Sequence, residues 1–368
     1  MKKLILLAIA VLFATVAHAQ TQTIIVSPGA NTTASGTNLL NAVAGITGNS
    51  WGNRFVVKIE PGVYDLGTTP LQMKEWVDIE GSGRDQTWIW GTGLTTSDWI
   101  NSGPSGPRGT INGAANAELR DLTVRSRDAD YTLAIATVNG ADLSVHNVTV
   151  KANTGTSGCW GIRSTNADVK LENVSIRVEC ASNYNSGFSS RNTSRPSLED
   201  VDIRSFGGSI ASTNIGAYMD GAALPVLFKD VSILTGDSTA GGHGIHVGPN
   251  TSGNLYFAIV GSRIAAGIDG TAIVASSGSG APSIDVMRSE LIGNHAVNWA
   301  PSGSLRIQHS VVSTTSGQVF SGLSIAPRLA STHFNDSTGA TGIAAIPGIF
   351  CASLWDNAYT FYPNTCPP

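Results

Sequence analysis

Between Leu119 and Thr314 the chain repeats one eight-residue pattern of apolar and polar positions. The copies read "LRDLTVRS" from Leu119, "VHNVTVKA" from Val145, "LENVSIRV" from Leu171, "LEDVDIRS" from Leu198 and "FKDVSILT" from Phe228. Fainter copies follow in "IVGSRIAA" from Ile259, "VMRSELIG" from Val286 and "IQHSVVST" from Ile307. The first and sixth positions are apolar in every copy, from Leu119 to Ile307 and from Val124 to Val312. The second is polar in Arg120, His146, Glu172, Glu199 and Lys229. Strand side chains alternate between faces, so the apolar rows predict an interior and the polar row a wet surface. The third position holds Asp121, Asn147, Asn173, Asp200 and Asp230, residues that tolerate left-handed backbone and suit a turn. These aspartates are therefore read as structural. The copies recur every 21 to 31 residues. A strand-like core at that period predicts an all-β fold, a single right-handed parallel β-helix of roughly ten coils with N- and C-terminal caps.

A second strand recurs within each coil: "LAIA" at 133–136, "WGIR" at 160–163, "GAYM" at 216–219, "HGIH" at 243–246 and "TAIV" at 271–274. With Ile245 inward, simple alternation assigns Ile135, Ile162, Tyr218 and Ile273 to the same inward row. His243 then points inward or lies at the strand edge. The outward row reads Ala136, Arg163, Met219, His246 and Val274, with His246 facing solvent. It has no carboxylate, and Asp220 and Asp237 are the nearest acids.

The ends of the chain differ from its middle. Lys2 and Lys3, an apolar run and Ala17-His18-Ala19 form a secretory signal pattern. The run is shorter than the roughly 18 apolar residues of a spanning helix, and no later segment qualifies. The expectation is a protein secreted, or held in the periplasm or at the cell surface, with no membrane insertion after cleavage. Expected boundaries are a signal peptide at 1–19, an N-terminal cap and first coils at 20–110, repeated coils at 111–335 and a C-terminal cap at 336–368. Four cysteines in an exported chain suggest two disulfides. Proximity in sequence favours Cys159–Cys180 and Cys351–Cys366 among the three possible pairings. No C-x-x-C occurs, which argues against structural zinc.

Composition narrows the partners. The formal net charge of −4 gives no global case for nucleic acid. A local basic row does stand out: the seventh position reads Arg125, Lys151, Arg177 and Arg204 in four consecutive coils. Like charges stacked one coil apart repel, so the row suggests an acidic partner. The competing reading is a solvated face balanced by Glu172, Glu199 and Asp202. Five of the eight tryptophans lie between Trp51 and Trp99. In "QTWIWG" an inward Ile89 would turn Trp88 and Trp90 outward, as a sugar-stacking platform or as surface covered by the cap.

The repeat resembles the pectin lyase-like superfamily of β-helix proteins over most of the chain. "RFVVKIEPGVYDLG" at 54–67 and "WVDIEGSGRDQTWIWG" at 76–91 are similar to the opening coils of pectin methylesterases. That resemblance implies a catalytic glutamine, two aspartates and an arginine. The glutamine segment aligns with "YTLAIATVNGADL", which has no glutamine, and "NTGTSG" stands where the first aspartate is due. Without these groups Arg163 loses the role the resemblance would give it. "TAGGHGIHVG" at 239–248 resembles the Gly-His-Gly of polygalacturonases, which implies a catalytic His243. The paired carboxylates of glycoside hydrolysis do not accompany it. Pectate lyases, a third relative, hold calcium through carboxylates. Asp128 with Asp130, and Asp142 with Asp168 one coil apart, are the candidates here, and calcium is the one cofactor considered. The sequence thus favours an exported β-helix that binds polysaccharide, acidic where the basic row is used, or serves as a surface structural protein without catalysis. Trp88, Trp90, Arg125, Lys151, Arg177 and Arg204 are its binding candidates. The alternative is a carbohydrate-active enzyme, a pectin-type esterase or lyase with a rearranged site. Its catalytic or cation candidates are Asp142, Asp168, Arg163, Asp220, His243 and His246.

Overall fold

A computed structural model describes residues 20–92, 109–181, 184–207, 214–221, 225–236, 242–249, 256–267, 269–276, 281–300, 302–315, 317–323, 325–336, 349–356, 358 and 360–366. The leader at 1–19 and Asp237 lie outside them. The described chain is a parallel β-helix. Its strands form a 22-stranded sheet and a 10-stranded sheet, with one helix, Thr32–Gly45, near the N-terminal end. Asn31 caps that helix by accepting a bond from the Ala34 amide. Leu39 and Val43 bury its apolar face.

The repeat rows become the core. Leu119, Val145, Leu171, Leu198 and Phe228 pair in register up the stack, followed by Ile259, Val286 and Ile307. Leu329 and Cys351 extend this row by two coils. The sixth row is equally continuous from Val124 to Val312 and gains Phe334. All of these side chains are buried. Each such side chain contributes about 1.5–3 kcal/mol by leaving water.

Between the two rows the backbone turns a corner. Asp121, Asn147, Asn173, Asp200 and Asp230 have φ from 52 to 57°. Gly261, Arg288 and His309 continue the line at 63, 50 and 50°. The left-handed residue breaks pairing for one position and folds the larger sheet into two faces. Two side-chain ladders serve this corner. In the early coils Asn173 donates to Asn147, and Asn147 to Asp121. In the later coils the residue after the corner is serine. There Val231, Ser262 and Ser289 amides donate to the hydroxyls of Ser262, Ser289 and Ser310 at 3.1, 3.1 and 3.2 Å.

The ten-stranded sheet corrects the sequence register. Ala217, not Tyr218, pairs with Ile245, and Tyr218 pairs with His246. His243 pairs with Ile215 and Thr271, not with Gly216. Simple alternation also fails within these strands. Gly161, Gly187, Gly216 and Gly244 face inward, where a Cβ would meet the Cγ2 of Ile176, Ile203, Ile233 or Ile264 at 2.2–2.4 Å. The next residues, Ile162, Phe188, Ala217 and Ile245, also belong to the core. Two successive inward residues leave the positions on either side of them on the outer face. His243 and His246 are such a pair, so His243 faces outward, against the sequence expectation. Their rings meet edge to face at 5.3 Å.

The structure contains the disulfides Cys159–Cys180 and Cys351–Cys366. Among the described residues no helix is long and apolar enough to cross a membrane.

Candidate functional site

The outer face of the ten-stranded sheet gathers polar and aromatic groups from successive coils. Its aromatic part is Trp160, which packs between Tyr131 and Tyr184 with centroids 6.4 and 5.3 Å away. Gly158 makes this possible, since a Cβ there would lie 2.4 Å from the indole. Trp160 is only 4% exposed although it stands on the outer face.

Next to this stack lies Arg163, paired in register with Ser189, with Tyr218 and then His246 in the coils beyond. Arg163 is 2% exposed. Burial, and then the neighbouring Arg191, pull its pKa down to about 10, with Tyr184 and Tyr218 opposing. Arg191 pairs in register with Asp220, and its guanidinium lies 5.4 Å from the Tyr218 ring centre. Tyr218 is hydrogen-bonded to Asp220. Burial first, then the Asp220 charge, raises its hydroxyl above the ordinary range.

His246 is not the solvent-facing residue that its outward position suggested. It is partly buried, edge-on to Tyr218 at 5.3 Å, with Nε2 2.8 Å from the Ser276 hydroxyl. Burial lowers its pKa, and Asp220 opposes the shift. His243 is pushed down to about 4 by burial and then by His246. Both imidazoles are thus neutral near pH 7, the form that accepts a proton. The cluster combines two guanidiniums, two neutral imidazoles, a protonated phenol and a single described carboxylate, Asp220.

The sequence placed Arg163, His243, His246 and Asp220 among its candidates, and they meet here. It missed Tyr218, Arg191, Trp160 and Tyr184. Tyr218 was hidden by the one-residue register slip, and the column of inward glycines is the signal that corrects it.

Other candidates stand apart. Asp142 accepts from the Asp168 amide at 3.1 Å, while Asp168 accepts from the Arg195 amide and side chain at 2.8 and 3.0 Å. The pair is committed to bonds within the protein. Among the described residues no group of three or more histidine, cysteine or acidic side chains is set to hold a metal ion. Asp142 also lines a cleft of about 390 Å³ with Arg54, Glu118, His146, Lys170 and Glu172. Charges there pair with one another or with near neighbours, as in Lys170–Glu172 and Arg54–Asp78.

Arg125, Lys151, Arg177 and Arg204 do stack in register on the larger sheet. Arg177 pairs with Glu179 and Arg204 with Asp202. Glu172 and Glu199, expected to balance this row, pair with Lys170 and Lys229 instead. Ile89 is fully buried, and Trp88 and Trp90 flank it on the outer side. Neither ring is a bare platform. Lys151 Nζ lies 4.6 Å from the Trp88 ring centre, and the Arg127 guanidinium 4.7 Å from that of Trp90.

No protein-family model matches the chain, and no curated protein matches it in sequence. Solved structures do match. A Geobacillus virus E2 protein, ORF18, aligns with a TM-score of 0.51 and 10% identity, over 90% of this chain and 61% of its own. This chain thus spans less than two thirds of that protein. The A-module of a mannuronan C-5 epimerase from Azotobacter vinelandii aligns with a TM-score of 0.46 and 11% identity, over 88% and 93%. A pectin methylesterase from Erwinia chrysanthemi aligns with a TM-score of 0.37 and 13% identity, over 74% and 90%. The likeness to the viral protein extends to the fold alone.

Proposed function

We propose that the outer face of the ten-stranded sheet binds an acidic polysaccharide and cleaves it by β-elimination beside a uronate carboxylate. The observation behind this reading is the juxtaposition of Arg163 and Arg191 with neutral His246 and protonated Tyr218. The partly exposed Arg191 holds the substrate carboxylate, and Arg163, buried behind it, adds a second positive charge, so that the adjacent C5 proton becomes more acidic. His246 takes that proton. The C5–H electron pair forms the C4–C5 double bond, the C4–O4 bond breaks, and Tyr218 protonates O4. The proton then passes from His246 back to Tyr218, whose rings are in contact. Hydrolysis fits less well because it needs two carboxylates, and Asp220 is the one carboxylate in the described cluster. We further propose export to the periplasm, the cell surface or the medium, in keeping with the leader pattern and two disulfides.

The test is to incubate purified protein with polygalacturonate, polymannuronate and polyguluronate and follow the ultraviolet absorbance of the unsaturated product. Tyr218→Phe and His246→Gln should each lower kcat by about 10²–10⁴. Arg191→Gln should raise KM and also lower kcat, since the same charge binds the carboxylate and acidifies the C5 proton. A second reading, a non-catalytic polysaccharide binder, is favoured by the lack of a carboxylate pair among the described residues of the cluster. Binding of a polyuronate with no unsaturated product from any of the three would select it.

A further inference from the structure

Trp88, Arg125, Lys151, Asn153, Arg177 and Glu179 line a cleft of about 290 Å³ on the larger sheet. This face is separate from the Tyr218–His246 cluster. Three of the six lining residues are cations and one is an anion. Arg125, Lys151 and Arg177 occupy one register row in consecutive coils, about 4.8 Å apart. Arg177 shares its charge with Glu179 at 3.2 Å. Arg125 donates to the neutral amide of Asn153 at 3.0 Å. Lys151 lies over Trp88, and that indole is tied back by its Nε1 bond to the Asp85 carbonyl at 3.3 Å. The charged groups that act on Lys151 are Arg125 and Arg177, which oppose its protonation, and Asp85, which favours it. Burial is the larger cause of its lowered pKa.

We infer that this cleft is a second, oxyanion-specific carbohydrate contact, which takes the carboxylate or sulfate groups of an acidic glycan between Arg125, Lys151 and Arg177. An oxyanion here relieves the repulsion among the three stacked cations and accepts their hydrogen bonds. Trp88 then acts as the support that holds the Lys151 ammonium at the cleft, rather than as a face for a neutral sugar. The contact stands on its own observations and does not require the elimination chemistry.

The experiment is titration calorimetry of the full chain with polygalacturonate, a sulfated glycan and a neutral glucan across a salt series. The expected result is binding of a carboxylated or sulfated polymer that weakens with salt, with the two arms identifying the oxyanion. Lys151→Gln with Arg177→Gln should weaken it on the order of tenfold at low salt. Lys151→Arg should retain it, which a purely structural lysine on Trp88 would not require. Both side chains face outward, so unchanged thermal melting serves as the folding control. The inference is overturned if the double variant binds like the parent, if the neutral glucan binds as tightly, or if neither acidic polymer binds at all. Loss of binding in Arg191→Gln with no loss in the double variant would assign the affinity to the ten-stranded sheet and also overturn it.

Discussion

His243 shows how a recognisable tripeptide and a side chain's behaviour come apart. Its Gly-His-Gly setting is legible in the sequence, but the flanking Gly244 is explained by packing, since a Cβ there would lie 2.4 Å from Ile264 Cγ2. The imidazole itself is held neutral by burial and by His246, with its pKa near 4 against an ordinary 6.5. This has a consequence for stability. The unfolded chain takes up a proton near pH 6.5, whereas the folded chain does so only near 4. Stability from this group is therefore complete above about pH 6.5 and declines as the pH falls toward 4. The full effect is on the order of 3 kcal/mol. Urea denaturation at several pH values should show the decline, and His243→Gln should flatten it. An unchanged slope in the variant would place the titration elsewhere.

The strands of the ten-stranded sheet carry the part of the site that the sequence concealed. Their repeating unit is outward, glycine, apolar, outward, as in Trp160-Gly161-Ile162-Arg163 and His243-Gly244-Ile245-His246. Strict period-two reading turns one of the two outward residues inward, which misplaced His243. A slip of one position in the Tyr218 coil then removed the phenol from the outer row. The larger sheet was far more legible, because its rows have two fixed apolar positions and a left-handed corner between them. Even there the later copies looked faint. The reason is chemical: Asp and Asn side chains satisfy the corner in the early coils, and Ser262, Ser289 and Ser310 satisfy it from the next position in the later ones. The glycine column gives a direct test. Gly244→Ala would press on Ile264 Cγ2 and, at 2.6 Å, on the Ala272 carbonyl. A loss of about 1–3 kcal/mol is expected in chemical denaturation. Adding Ile264→Ala should not restore stability, because the carbonyl clash remains and a cavity is created. Wild-type stability in Gly244→Ala would contradict the inward placement of this column.

A solenoid of stacked coils has two ends, each exposing a strand edge that invites pairing. At the N-terminal end the helix Thr32–Gly45 packs against the first coils through Leu39 and Val43. At the C-terminal end the inward row that runs through Leu119 finishes at Cys351, paired with Leu329 below and bridged to Cys366. The strand Phe361–Tyr362 then runs antiparallel to Leu354–Trp355, the one reversal of direction among the described strand pairs of the larger sheet. The disulfide thus joins the last core position to the segment that covers the edge. Because each coil touches mainly its neighbours, loss of this bond should act locally before it acts globally. The bridge spans 15 residues, and loop entropy gives it about 3 kcal/mol. Cys351→Ser with Cys366→Ser is therefore expected to speed hydrogen exchange in the strands Arg328–Ala330, Phe350–Ala352 and Leu354–Trp355. The early coils, Ala117–Arg127 through Ser197–Gly207, should keep their protection. Uniform loss of protection along the stack would mean that the coils unfold as a single unit, and unchanged exchange at the C-terminal strands would mean that the antiparallel strand closes the edge without the disulfide.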